Sequence, residues 1–154
     1  VKGERVQHAQ EFLAEISEDL AFLPARDRYV ALREYGDELA PMDDALKVEA
    51  NIVPGCLSLT YLAGSLDEDG LIRFQGDSES FVSKGYLYIL IQAFDGSRPE
   101  AFVKDAEPLV NAFADKAQVT LSMVPSRANV FERMFRFMQR KAVEALADAG
   151  KTTV

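Results

Sequence analysis

One cysteine and one histidine in 154 residues leave little scope for metal chemistry. A structural zinc site ordinarily takes four Cys or His ligands, so Cys56 and His8 cannot supply one, and no metal site is expected. A lone cysteine cannot close an internal disulfide either; its free thiol suits a reducing compartment and stays available for chemistry. Positive charge is also scarce, with 17 Lys and Arg against 25 Asp and Glu and a formal net charge of -8. Nucleic-acid binding relies on clustered cations that release counterions, so a phosphate backbone is repelled on average and no nucleic-acid partner is expected. Long apolar runs are absent: Tyr86 to Ile91 is typical of the longest and falls far short of a bilayer span. Nothing at the amino end resembles the apolar core of a signal peptide, and the expectation is a cytoplasmic chain with no membrane partner. Neither a phosphate-binding Gly-rich loop nor a nucleophile elbow occurs, which leaves nucleotide hydrolysis and serine-esterase chemistry without support.

What is present is the composition of a folded domain. Hydrophobic residues make up 48% of the chain, charges of both signs are interspersed, and there is no internal repeat or linker, so one domain over residues 1–154 is expected. Phe12, Leu13, Ile16 and Leu20 fall at helical spacing between Gln7 and Leu20, and Pro24 marks the break after them. Tyr29, Leu32, Tyr35 and Leu39 predict a second helix that Pro41 ends. The period then changes: Leu57, Leu59 and Tyr61 alternate with Ser58, Thr60 and Leu62, and Asp67-Glu68-Asp69-Gly70 is a turn into Ile72 and Phe74, which together predict an antiparallel hairpin. The acidic turn could suggest a metal loop, but this spacing with Gly70 is what a hairpin turn demands. Ser78 is read as the cap of a largely buried helix that runs through Phe94 and stops at Asp95-Gly96. Pro99 opens a short helix through Val103, and a separate segment around Leu109, Val110 and Phe113 follows Pro108. Asn129 and Glu132 resemble a capping box, and Phe131, Met134, Phe135, Met138 and Leu146 form a core-facing stripe on a last helix ending near Gly150. Helices, hairpin, helices: the order argues for a two-layer α+β domain.

Chemistry concentrates at Cys56. Pro54 and Gly55 interrupt the chain just before a strand, which places the thiol at a loop or strand edge, where a rigid scaffold can present it to a partner. A buried inert cysteine is the plainer alternative, because free Cys is among the most buried residue types. Sulfur transfer needs the thiolate, and nearby cations favour it; the candidates are Arg127, Lys84 and Arg73, each of which could equally be a solvated surface charge. His8 on the first helix would have to reach Cys56 for a Cys-His hydrolase, and a solvated helix-face histidine is the simpler reading.

Several blocks in order carry a family resemblance. They are Glu49-Ala50-Asn51-Ile52-Val53-Pro54-Gly55-Cys56-Leu57-Ser58, then Phe74-Gln75-Gly76-Asp77-Ser78, Lys84-Gly85, Asp95-Gly96 with Pro99-Glu100, and Pro125-Ser126-Arg127-Ala128-Asn129. On these the chain resembles the SufE-like sulfur acceptors, a group that includes CsdE, over a core of about residues 26–147. The resemblance implies a fold shared with NifU-like and IscU-like scaffolds, a small antiparallel sheet flanked by helices. It implies that Cys56 accepts sulfane sulfur from a SufS-type cysteine desulfurase, carries it as a transient persulfide and passes it toward a SufBCD-type assembly complex. It also implies stimulation of the desulfurase. Pyridoxal phosphate belongs to that desulfurase, so no bound cofactor is expected here. Asp77 and Arg127 match recurrent family positions and are assigned to docking or loop support, together with Gly55, Ser58 and Lys84.

The chain departs from the family where many members carry Gln-Val-Trp; here Leu59-Thr60-Tyr61 stands instead, and Leu59 lacks the hydrogen-bonding capacity of Gln. This bears on whether the partner is SufS-like or CsdA-like. Two alternatives remain open: a docking-only regulator of a desulfurase, and a scaffold whose cluster is bridged between chains, since one cysteine cannot hold a cluster alone.

Overall fold

The computed structural model describes residues 2–117 and 130–152, with side chains described for 7–117 and 130–150. Its described elements are α1 (Lys2–Phe22), α2 (Ala25–Asp37), short 3-10 turns at Asp44–Leu46 and Glu49–Asn51, β1 (Thr60–Leu66), β2 (Ile72–Ser78), α3 (Phe81–Phe94), α4 (Pro99–Ala117) and α5 (Val130–Thr152). The fold is α+β, as the sequence predicts, with α3 and α5 against a two-stranded antiparallel sheet and the other helices packed on α3 and α5 or on one another.

Helix α1 buries Ala9, Leu13, Ile16 and Leu20, one face of a 3.6-residue period. Its last carbonyls do not go unpaired at Pro24: Arg28 Nε donates to the carbonyls of Leu20 and Leu23, each at 3.0 Å. Helix α2 then packs closely on α3. A Cβ on Gly85 would stand 2.8 Å from the Leu32 carbonyl carbon, so only glycine lets the two backbones approach this far.

The hairpin pairs Thr60 with Ser78 and Leu66 with Ile72, and its turn is organised by Asp67. Asp67 Oδ1 accepts from the amides of Asp69 at 2.9 Å and Leu71 at 3.0 Å, while Oδ2 takes Arg73 Nε at 2.8 Å. The acidic cluster is therefore a turn. Asp95 ties the hairpin to the end of α3 by accepting from the Phe74 amide at 2.8 Å. Leu62, Ile72 and Phe74 bury on the face that meets α3 and α5.

Three local expectations change. The strand begins at Thr60, and Thr60 and Leu62 are the buried pair, whereas Leu57 and Leu59 are exposed; the chain bends through Leu57 and Ser58, so the alternation starts later and in the opposite phase. Ser80, not Ser78, caps α3, its hydroxyl accepting from the Ser83 amide at 3.3 Å. Ser78 is still in β2. The region after Pro99 is one helix with Pro108 inside it. An internal proline costs a helix about 3 kcal/mol, but Pro108 lies on the exposed side while Phe102, Ala106, Val110, Phe113 and Ala117 bury the other. That continuous apolar face offsets the lost bond. Helix α5 ends at Thr152, near Gly150 as expected. Its stripe of Phe131, Met134, Phe135 and Met138 is core, as expected; the capping residue Asn129 lies outside the described residues.

Candidate functional site

The chain reaches Cys56 through a closed loop. Ile52 bridges antiparallel to Tyr61, and the Val53 amide donates to the Thr60 carbonyl at 2.8 Å, so the segment before the cysteine is pinned to the start of β1. Pro54 and Gly55 turn the chain, with Gly55 at φ +79, a backbone conformation costly for any residue with a Cβ. On one side of this turn α5 supplies Arg133: a Cβ added at Gly55 would collide with Arg133 Nη1 and lie 2.8 Å from Cζ. Glycine at this position gives the guanidinium its seat beside the cysteine.

Cys56 itself is half-buried and faces a small cavity of about 20 Å³ lined by Leu57, Ser58, Ser80, Val82, Ser83, Tyr86 and Val130. A space of that size holds about one water-sized group. Beside the sulfur stands Thr60, fully buried, whose hydroxyl is 2.8 Å from Ser78 Oγ and 3.1 Å from the Ser58 carbonyl. Ser78 Oγ in turn accepts from the Ser80 amide at 3.1 Å, joining the cysteine surroundings to the cap of α3. Burial pushes the Cys56 thiol up; the Thr60 hydroxyl and the Arg133 charge act in the opposite sense without cancelling it. In this conformation the sulfur is held as a protonated thiol at neutral pH.

Serines and apolar side chains alternate around the sheltered sulfur, and large apolar side chains are exposed along the loop and at the start of α3. Leu57 is 75% exposed and Phe81 54%, with Leu59 also exposed.

Not all the residues singled out in the sequence meet here. Gly55 and Ser58 share the loop with Cys56. Asp77 instead receives Lys47 Nζ at 3.1 Å and ties the 3-10 segment upstream of the loop to β2; Asp44 shares the same ammonium at 3.3 Å. Lys84 sits on the side of α3 that packs on α2, its Cβ against Gly36, and does not line the cavity. Arg73 is engaged by Asp67 at 2.8 Å and Asp95 at 3.3 Å at the turn of the hairpin. Arg127 lies outside the described residues. His8 stacks on Phe12, with Nε2 3.4 Å from the Gln92 carbonyl, and does not pair with Cys56. Among the described residues no three His, Cys, Asp or Glu side chains converge as a metal site requires, and no helix is long and apolar enough to cross a membrane.

Sequence reasoning missed Arg133 and the role of Thr60. Arg133 borders the core stripe of α5 and reads as one more solvated arginine; only the tertiary approach of α5 to Gly55 reveals it. Thr60 had a signal, being a polar residue in phase with Leu62 on the buried face of β1.

Comparison with known proteins identifies the family and the fold. The family model SufE, an Fe-S metabolism associated domain, matches residues 14–142. An uncharacterized SufE-like protein of Synechocystis is 39% identical over 118 residues, covering 77% of this chain and 71% of the relative. SufE-like protein 2, chloroplastic, of Arabidopsis thaliana is 30% identical over 136 residues, which are 86% of this chain and 50% of that one. The solution structure of a hypothetical protein from Thermus thermophilus superposes with a TM-score of 0.66 at 20% identity, covering 88% of this chain and 96% of that one, a likeness of fold. With the family model matched over most of its length and a relative 39% identical over 77% of it, this chain belongs to the SufE family of iron–sulfur metabolism.

Proposed function

We propose that the chain is a sulfur carrier that takes sulfane sulfur onto Cys56 from the persulfide of a SufS-type cysteine desulfurase and hands it to iron–sulfur cluster assembly, a SufBCD-type complex being the receiver. The observation that carries this reading is the half-buried Cys56 on a closed loop, facing a cavity of about 20 Å³ with room for one further small group. The Cys56 thiolate attacks the terminal sulfur of the protonated donor persulfide. A new S–S bond forms at Cys56, the donor S–S bond breaks, and the donor leaves as its own thiolate. The sulfane sulfur keeps its oxidation level, so no external oxidant or reductant enters. The pyridoxal phosphate that generates the donor persulfide belongs to the desulfurase.

A half-buried thiol held protonated must turn outward to react. Covering Leu57 on docking contributes about 2 kcal/mol, whereas giving up the Thr60 hydrogen bond costs about 1 kcal/mol. A partner that covers the apolar rim of Leu57, Leu59 and Phe81 can therefore drive the loop outward and expose the sulfur at the same moment. Gly55 and Ser58 shape this loop and Asp77 steadies the segment leading into it; Lys84 and Arg127 are assigned to the docking surface. The proposal sets the transfer in the cytoplasm, where a lone thiol stays reduced.

Desulfurase turnover with this protein and with Cys56→Ala tests the reading. Loss of stimulation in the variant is the expected result; full stimulation by Cys56→Ala would identify a docking-only regulator instead.

A further inference from the structure

We propose that Arg133 is the positioning residue that retains the charged persulfide on Cys56, acting as its counter-ion from α5. The inference rests on the sulfur-carrier reading and deepens it.

Three features converge on Arg133. Its guanidinium occupies the space over Gly55 that a side chain at that position would fill, immediately next to the cysteine. Among the described residues no carboxylate pairs with it, although the exposed arginines and lysines elsewhere that lie near acids do form such pairs, as Arg73 and Arg136 show. Its charge already acts on the Cys56 sulfur. Arg133 is thus a cation beside the cysteine loop with no carboxylate paired to it among the described residues.

A persulfide is a stronger acid than its parent thiol. After transfer the Cys56 persulfide releases its proton to solvent, and the terminal sulfur carries a full negative charge at neutral pH. The cavity offers that anion only neutral partners, Ser58, Ser80 and Ser83 among Val82, Tyr86 and Val130, and no charge to balance it. A planar guanidinium with several donors, held over Gly55, supplies the missing charge and hydrogen bonds. The empty thiol state, neutral and buried, makes little use of it. Arg133 therefore discriminates between loaded and unloaded carrier.

The test uses the full chain and a chemical donor, inorganic polysulfide, so that no desulfurase is needed. Cys56 is persulfidated in the wild type, Arg133→Met and Arg133→Lys, and loss of the added sulfur to dithiothreitol is followed by intact mass spectrometry, with circular dichroism confirming the fold of each. Arg133→Met is expected to lose sulfur about threefold to tenfold faster than the wild type, as removal of one partly solvated charge implies; Arg133→Lys is expected to recover most of the difference at low salt. Equal lifetimes in all three proteins overturn the assignment while leaving the carrier reading intact. A wild type that takes no sulfur from polysulfide overturns both.

Discussion

The hydroxyls of Thr60 and Ser78 stand 2.8 Å apart across the first rung of the hairpin, buried beside Cys56. Thr60 has one proton to give and three competing acceptors, Ser78 Oγ at 2.8 Å, the Ser58 carbonyl at 3.1 Å and the cysteine sulfur. When Cys56 is a thiol, Thr60 donates to Ser58. An ionised sulfur is the stronger acceptor, so ionisation is expected to draw the Thr60 proton to it.

Thr60→Val keeps the shape and removes this donor. Ser78 retains the Leu59 carbonyl, 3.3 Å away, as an acceptor, so the expected stability loss is about 1 kcal/mol. The pH midpoint for alkylation of Cys56 should rise, and Thr60→Ser should restore it. An unchanged midpoint in Thr60→Val removes Thr60 from the account of the thiolate.

Because burial raises Cys56 above the ordinary thiol value of 9.0, the folded protein holds this proton to higher pH than the unfolded chain does. The resulting stability is complete below the unfolded value and is lost as pH climbs through the folded one. Urea denaturation across the alkaline range should show wild type losing more stability than Cys56→Ala. Parallel curves would mean that the thiol is not held protonated by the fold.

Gly55→Ala places a Cβ at φ +79 and against Arg133. The left-handed conformation alone costs an L-residue about 1–2 kcal/mol, so the melting temperature should fall. Displacement of the guanidinium should also raise the Cys56 alkylation midpoint. A variant as stable as the wild type would show that the turn readily adopts another conformation.

Lys141 is only 8% exposed, and its Nζ donates to the Ala50 carbonyl at 2.9 Å, tethering the 3-10 turn before the cysteine loop to α5. Its charge is met by Glu144 at 3.5 Å and the Phe137 ring at 5.1 Å. Lys141→Met keeps the aliphatic packing and breaks the tether, at an expected cost of about 1–3 kcal/mol. Amide exchange at Asn51 to Val53 should quicken. Unchanged exchange there would show that the bridge to Tyr61 suffices to hold the segment.

The amphipathic helices and the turns were legible because their signals are local. Leu13, Ile16 and Leu20 declare the buried face of α1, Asp67 with Gly70 declares the turn, and Tyr86 to Ile91 declare a buried helix. The errors share one cause, which is competition between neighbouring polar groups or between local preference and packing. Ser78 and Ser80 are equal cap candidates in sequence, and the cross-strand partner Thr60 draws Ser78 into the sheet. Pro108 would break a helix in isolation, but the apolar face on either side of it continues without interruption.

At the site, Cys56 and the interruption at Pro54-Gly55 were visible, and so was the family they resemble. The charge beside the sulfur was not. Arg127, Lys84 and Arg73 were the sequence candidates, yet the described cation at the loop is Arg133, brought there by the crossing of α5 over Gly55, a relationship between residues distant in the chain.

Intact mass spectrometry after incubation with a SufS-type desulfurase, pyridoxal phosphate and cysteine tests the central claim most directly. The account predicts a gain of sulfur that reductant removes and that Cys56→Ala does not show; faster desulfurase turnover with no sulfur on Cys56 would contradict it.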